Sequence, residues 1–298
     1  MNTSSSPSVA AQSLGCRESF VEANGIRLHV AEAGPADGRP VVLLHGFPEF
    51  WYGWRKQIPA LAEVGFRVIV PDQRGYNLSD KPGGVAAYSV SELMADVIGL
   101  LDALGLPRAC LGGHDWGAAV AWALALYHPG RFSRLAVLNV PHPAVMLSFL
   151  RRDPRQMLRS WYIGLFQLPR LPEMMFRAGD FSGGVRALRA SAGPGTFSEG
   201  DMCEYRTAWS RPGAVTSMIN WYRALARHRP ELPRNPRVQV PTMILWGVRD
   251  VALSRRMVPR SLALCEDGRV EYFETATHWV QHDCPKAVSD HLIRFFGD

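Results

Sequence analysis

From Glu18 the chain alternates between polar and apolar positions. Phe20–Ala23 and Ile26–Val30 read as two strands joined at Asn24-Gly25, a pair that tolerates the positive φ of a tight hairpin. The pattern then changes. Val41–Leu44 is an unbroken apolar run, as in strands buried on both faces of a parallel sheet. A helix-forming stretch, Trp54–Val64, leads to a second such run at Val68–Val70. After a loop rich in Gly and Pro, Ser89 begins a segment with apolar residues at 93, 94, 97, 98, 100, 101 and 104, a helical period. Ala109–Leu111 and Leu135–Leu138 read as further buried strands on either side of a helical run, Ala118–Tyr127. This alternation predicts an α/β fold: a mostly parallel central sheet with helices on both faces.

After Pro141-His142-Pro143 strand character stops. Residues 144–235 show helical segments interrupted at Pro169, Pro172, Gly183-Gly184, Gly193-Pro194-Gly195 and Pro212-Gly213. Strands return at Thr242–Trp246 and Val270–Phe273, and a helix over Lys286–Phe296 closes the chain. The expected organisation is an α/β core of 17–143 and 236–298, an inserted helical cap of 144–235, and no internal repeat. Residues 1–16, rich in Ser and Ala, have neither a basic start nor an apolar segment, so they are expected to be a disordered tail and not a secretory signal.

Composition narrows the picture. Of the 298 residues, 47% are apolar and 20% charged, as in soluble globular proteins. The longest apolar run, Ala118–Tyr127, is too short to cross a bilayer, so no membrane partner is expected. Cysteines stand at 16, 110, 203, 265 and 284, an odd number without paired spacing. That argues for free thiols in the cytoplasm and against a disulfide framework or a metal site. The net charge is +6, and the segment Pro143–Asn235 alone carries fourteen Arg against seven acidic residues. The arginines are scattered and no nucleic-acid-binding motif accompanies them, which reads as a solvated helical surface and no nucleic acid partner. Only three residues are Lys (Lys56, Lys81, Lys286), a compositional bias.

The candidate chemistry lies between strand and helix, at Gly113-His114-Asp115-Trp116-Gly117. Small residues two before and two after a central residue permit a sharp turn that lifts its side chain off the strand end. The central residue is Asp, a carboxylate already anionic at neutral pH and able to attack an electrophile without a base to deprotonate it. In an open parallel sheet, functional groups collect at the carboxyl ends of strands. After Val41–Leu44 comes His45-Gly46-Phe47-Pro48, whose backbone can aim an N–H at the turn. The N–H groups of Phe47 and Trp116 are the expected oxyanion hole. Asp250 follows Thr242–Trp246, and His278 follows Val270–Phe273. Asp115, Asp250 and His278 thus come in the order nucleophile, acid, histidine, which is that of the α/β-hydrolases. His45, His114, His142, His228 and His282 are rival histidines; Asp267, Glu274 and Asp283 are rival acids that end no strand in a Gly-containing loop. Asn139 ends the strand before the insertion, but as an amide it cannot serve as the acid.

Four segments carry a resemblance: His45-Gly46-Phe47-Pro48-Glu49-x-Trp51, Gly113–Gly117, Asn220-Trp221-Tyr222-Arg223 and His278-Trp279. From about residue 18 to the end the chain resembles the soluble epoxide hydrolases of the α/β-hydrolase superfamily. The resemblance implies two cap tyrosines that hold the epoxide oxygen. Asn-Trp-Tyr-Arg gives Tyr222, and Trp161–Gln167 is similar to the family's other tyrosine segment and gives Tyr162. It further implies a pocket drawing on His45, Pro48, Trp116, Trp221 and Trp279, an apolar epoxide and water as partners, no metal or cofactor, and a monomer or homodimer. Trp161, Phe166, Trp209 and Trp221 otherwise read as a core aromatic stripe, and Arg177–Thr207 matches no motif. The alternatives are a haloalkane or haloacid dehalogenase with the same nucleophile and, from another class, a non-catalytic binding protein on this scaffold. Haloalkane-type relatives tend to carry a polar residue at the position of Phe47, and fluoroacetate-type relatives Arg at that of Trp116. A receptor gains nothing from an intact Asp115, Asp250 and His278.

Overall fold

The computed structural model describes residues 8–228 and 231–298. Among these, eight strands form one sheet: β1 (Arg17–Ala23), β2 (Ile26–Ala33), β3 (Arg39–Leu44), β4 (Phe66–Pro71), β5 (Ala109–His114), β6 (Phe132–Leu138), β7 (Thr242–Gly247) and β8 (Gly268–Phe273). Their order is β1-β2-β4-β3-β5-β6-β7-β8. The β1–β2 and β2–β4 pairs are antiparallel and the rest parallel. The hairpin turns at Asn24 and Gly25, both at positive φ, and sets Ala23 opposite Ile26. Val41–Leu44 and Leu135–Leu138 have no exposed surface, because helices cover both faces of the middle of the sheet.

The helix Trp116–Tyr127 is buried almost all round, which is why its sequence shows no polar stripe. Its Trp122 indole donates to the Val140 carbonyl at 3.1 Å. The helix expected over 54–64 divides into a 3-10 turn, Trp51–Trp54, and a short helix, Ile58–Glu63, with Pro59 in its first turn. Pro59 has no N–H to give to Arg55 and disfavours the helical conformation before it, so the helix starts there.

Among the described residues, six helical segments lie between β6 and β7: Pro143–Arg152, Pro154–Arg159, Trp161–Leu165, Leu171–Ala190, Glu199–Ser210 and Ala214–Arg227. The fourth is interrupted at 178–181, where Gly179, Asp180 and Phe181 have positive φ. Asp153 accepts from the N–H groups of Arg155 and Gln156 and starts the second. Ser198 and Asp201 form a reciprocal cap on the fifth. The insertion is fastened to loops at the carboxyl ends of the strands. The Trp209 indole donates to Pro48 O at 2.6 Å, the Trp221 indole to Arg74 O at 3.1 Å, and the Tyr205 hydroxyl to Glu49 Oε1 at 2.6 Å.

The expected N-terminal disorder is corrected over 8–16, while 1–7 lie outside the described residues. Val9–Ser13 is a helix capped by the Ser8 hydroxyl, and Ala11 and Cys16 are buried. The Ser8 N–H and hydroxyl both donate to the Glu18 carboxylate. Ser-rich composition suggested disorder, but one Ser is spent as a cap and Ala11 is small enough to pack against the sheet edge.

Candidate active site

Asp115 sits between β5 and its helix at φ 49° and ψ −122°, a conformation that non-glycine residues seldom adopt. The two flanking glycines make it attainable. A Cβ on Gly117 would strike the carbonyls of Leu44 and His45, and one on Gly113 would strike the Gly117 carbonyl. Gly46 is equally constrained, since a Cβ there would meet the side chain of Asp115 itself. Three glycines therefore let the loop after β3 close onto the turn.

The Asp115 carboxylate meets two partners. Its Oδ1 accepts from the Phe47 N–H at 2.7 Å, and its Oδ2 lies 3.4 Å from His278 Nε2. On the far side of the ring, His278 Nδ1 donates to Asp250 Oδ2 at 2.7 Å. Asp250 Oδ1 accepts from the N–H groups of Ala252 and Leu253 at 2.7 and 2.8 Å. The structure thus brings Asp115, Asp250 and His278 into one line.

Burial opposes charge on both members of the Asp115–His278 pair. The hydrogen bond to His278 and its charge, with the Phe47 N–H, nevertheless hold the Asp115 carboxyl below its ordinary value. Burial likewise works against the His278 imidazolium, but the charge of Asp250 and the hydrogen bonds to Asp115 and Asp250 push it up to about 10. Two carboxylates around one imidazole make the resting arrangement an ion pair.

Tyr162 and Tyr222 come from different helices of the insertion and meet with ring centroids 5.9 Å apart, nearly perpendicular. Tyr222 also packs on Trp116 at 5.1 Å, Phe47 at 5.3 Å and Phe166 at 4.8 Å. Burial, and then the charge of Asp115, push both phenols above their ordinary value. Both are therefore neutral hydrogen-bond donors within the field of Asp115.

The remaining pocket residues divide by role. Pro48 and Trp221 anchor the insertion as described above, and Trp221 also packs on Trp116 at 5.5 Å. The Trp279 ring lies 5.3 Å from that of His278, and its indole donates to Ser191 Oγ at 2.9 Å. His45 differs from expectation. It has no exposed surface and ties loops together, its Nε2 accepting from the Gln73 N–H at 3.0 Å and its Nδ1 facing Gly46 O at 3.1 Å. Trp161 is also corrected: it is 65% exposed, not part of a core stripe. In the five-residue helix Trp161–Leu165, Tyr162 and Ile163 pack against the core, and Trp161 falls on the outer side of the same turn.

The rival residues have other partners. His282 donates to Glu49 at 2.7 Å, His114 Nε2 to the His278 carbonyl at 2.9 Å, and His142 accepts from the Ala144 N–H. His228 is exposed. Asp283 holds the N–H and hydroxyl of Thr277, the residue before His278. Two polar residues were given no role by sequence reasoning. Asn139 donates to Asp250 Oδ2 at 2.8 Å, and its Oδ1 accepts from the Gly247 N–H at 2.8 Å. Glu49, fully buried, accepts from His282, Tyr205 and Gln281 and lies 3.3 Å from His114 Nδ1. The signal for Asn139 was its place at a strand end; for Glu49, a carboxylate inside an otherwise apolar loop.

The α/β-hydrolase fold family matches residues 39–285. The chain is 44% identical to the AB hydrolase superfamily protein YfhM of Bacillus subtilis (strain 168), over 94% of this chain and 98% of that one. It is 37% identical to epoxide hydrolase 2 of Caenorhabditis elegans, over 94% of this chain and 79% of that one. A variant of the Bacillus megaterium epoxide hydrolase, crystallised with its product, a naphthyloxy-propanediol, superposes with a TM-score of 0.85 at 29% identity, covering 94% of this chain and all of that one. The chain belongs to the α/β-hydrolase fold family, in its epoxide hydrolase branch.

Proposed function

We propose that the protein converts an apolar epoxide to a vicinal diol through a covalent ester on Asp115. In this reading residues 144–235 act as the cap over a core of 17–143 and 236–298, and the substrate lies between them. The observation that carries it is the Asp115 carboxylate, paired with His278 on one side and within the field of two neutral phenols on another. An epoxide is strained, but its leaving oxygen becomes an alkoxide and departs readily only when protonated. Tyr162 and Tyr222 donate to that oxygen while Asp115 attacks a ring carbon.

The first step changes the histidine. Once Asp115 is an ester, one of the two negative charges beside His278 is gone, and its imidazolium gives up the proton more easily; through solvent that proton restores the phenol that protonated the leaving oxygen. Neutral His278, oriented by Asp250, then takes a proton from the water that attacks the ester. The backbone N–H groups of Phe47 and Trp116 receive the charge of the tetrahedral intermediate. Diol departs and Asp115 is restored. Phe47, Trp116 and Phe166 around Tyr222 favour an aryl- or alkyl-substituted epoxide, the class to which the Bacillus megaterium relative's aryloxy diol corresponds. A halide-releasing reaction makes no alkoxide and has no use for two phenol donors, which sets the epoxide reading ahead of a dehalogenase.

The test is the intermediate. With His278→Gln, ring opening should continue and ester hydrolysis stall, so intact-protein mass spectrometry should show the enzyme plus one substrate mass. Steady diol formation without an adduct would sink the assignment.

A further inference from the structure

Of the twelve large apolar residues exposed among the described residues, seven lie between Met157 and Met175. Leu158 is 75% exposed, Met174 66% and Trp161 65%. They are not scattered. Gln156, Ser160, Ile163 and Phe166 recur at three- and four-residue spacing and turn toward the protein, leaving the apolar residues on the outer side. Gln156 fixes this orientation by donating to Ser160 Oγ at 3.0 Å and to Ala252 O at 2.8 Å. So concentrated an apolar surface calls for a partner.

Its charge says which kind. Arg151, Arg152, Arg155, Arg159, Arg170 and Arg177 flank and intersperse these apolar residues along the chain, all exposed. None of the six forms an ion pair among the described residues. The two carboxylates of 151–177 are already occupied: Asp153 takes Arg256 at 3.1 Å, and buried Glu173 takes Arg223 at 2.6 Å. A second copy of this chain would bring six more arginines and no free carboxylate from the same face, so like charges would meet. A bilayer bearing anionic headgroups offers phosphate oxygens to the guanidinium groups and hydrocarbon to the apolar side chains, and Trp is suited to the boundary between them.

We propose that this outer face of the insertion docks on an anionic phospholipid surface. No helix among the described residues is long and apolar enough to cross a membrane, so the contact is with the surface alone. The docking stands on the exposed residues and goes beyond the epoxide reading. If that reading holds, docking also places the helix that carries Tyr162 against the phase in which an apolar epoxide concentrates.

The test is co-sedimentation of the purified full chain with vesicles of phosphatidylcholine, with and without phosphatidylglycerol. Binding should require phosphatidylglycerol and weaken with salt. Replacing Arg155 and Arg159 by Gln should lower partitioning about fivefold for each charge, roughly twenty-five-fold together. The pair Leu158→Glu and Met174→Glu should abolish it, and since both side chains are exposed, the unfolding temperature should not change. If it does, Met157→Glu with Met175→Glu repeats the measurement on the same face. Absence of binding at low salt would overturn the proposal, as would binding that survives the Glu substitutions. A dimer in light scattering that the same substitutions dissociate would also overturn it, because the face would then belong to a second copy. The outcome is independent of diol formation, so failure here and failure of the epoxide reading are separate results.

Discussion

Asn139 donates its side-chain amide to the carboxylate of Asp250 at 2.8 Å, on the same oxygen that accepts from His278. Asn139 itself stands at φ 53°, directly after β6, and its Oδ1 accepts the N–H of Gly247, the last residue of β7. One side chain thus bridges two neighbouring strand ends and fixes the acid between them. Asn139→Ala should cost about 1–3 kcal/mol of stability, the usual penalty for stranding buried polar groups. A urea titration measures that loss. Activity should fall more through kcat than through KM, since Asp250 does not touch substrate in the proposed mechanism. An unchanged urea midpoint would mean that Asp250 does not depend on this bond.

The two tyrosines are open to a graded test. Tyr162→Phe or Tyr222→Phe alone should leave some epoxide-opening activity, because one phenol still donates. Both together should lose at least the ~10²–10⁴-fold typical of general acid catalysis. Each change removes only a hydroxyl, so circular dichroism should report the native fold. The losses should not simply add, because the two phenols share one developing charge. A folded double variant that opens epoxides at the wild-type rate would return both residues to the aromatic core and bring the dehalogenase reading forward.

The raised His278 value has a consequence for stability. Its pKa is about 10 in the folded protein against an ordinary 6.5, so the folded state binds the proton more tightly. The stabilisation is fully present below 6.5 and is lost as pH rises through about 10. The denaturation midpoint of the wild type should therefore decline across that window more steeply than that of His278→Gln. Parallel declines would show that the His278 proton is not held by Asp115 and Asp250. Asp115 acts with the opposite sign: its carboxyl is lowered, so its contribution is present above its ordinary range and lost in acid.

The sheet was legible in the sequence because a strand buried on both faces tolerates almost nothing polar. Val41–Leu44, Val68–Val70 and Leu135–Leu138 are such runs, and each lies within an observed strand. The turn at Asp115 was legible for a steric reason: the two glycines stand where any Cβ would meet backbone. The positions of Asp115, Asp250 and His278 followed from strand ends, which the apolar runs delimit. The helical insertion was legible from the loss of strand pattern after Pro143.

Other features depend on residues far apart in the chain, and the sequence alone did not contain them. Asn139 is an unremarkable amide until β7 brings Asp250 and Gly247 to it. Glu49 stands out in its loop only as a carboxylate among apolar residues; its partners arrive with the insertion, which supplies Tyr205, and with the short helix Val280–Asp283, which supplies His282. The resemblance implies a place for His45 in the pocket, and the backbone N–H of Gln73, far along the chain, takes its Nε2. Trp161 and Tyr162 are neighbours of similar chemistry, yet one faces water and the other the charge of Asp115. Local patterns are set by backbone sterics and by which face is buried, and these act over a few residues. A buried polar group answers instead to whichever donor or acceptor the folded chain brings within about 3 Å, and only the tertiary structure decides that.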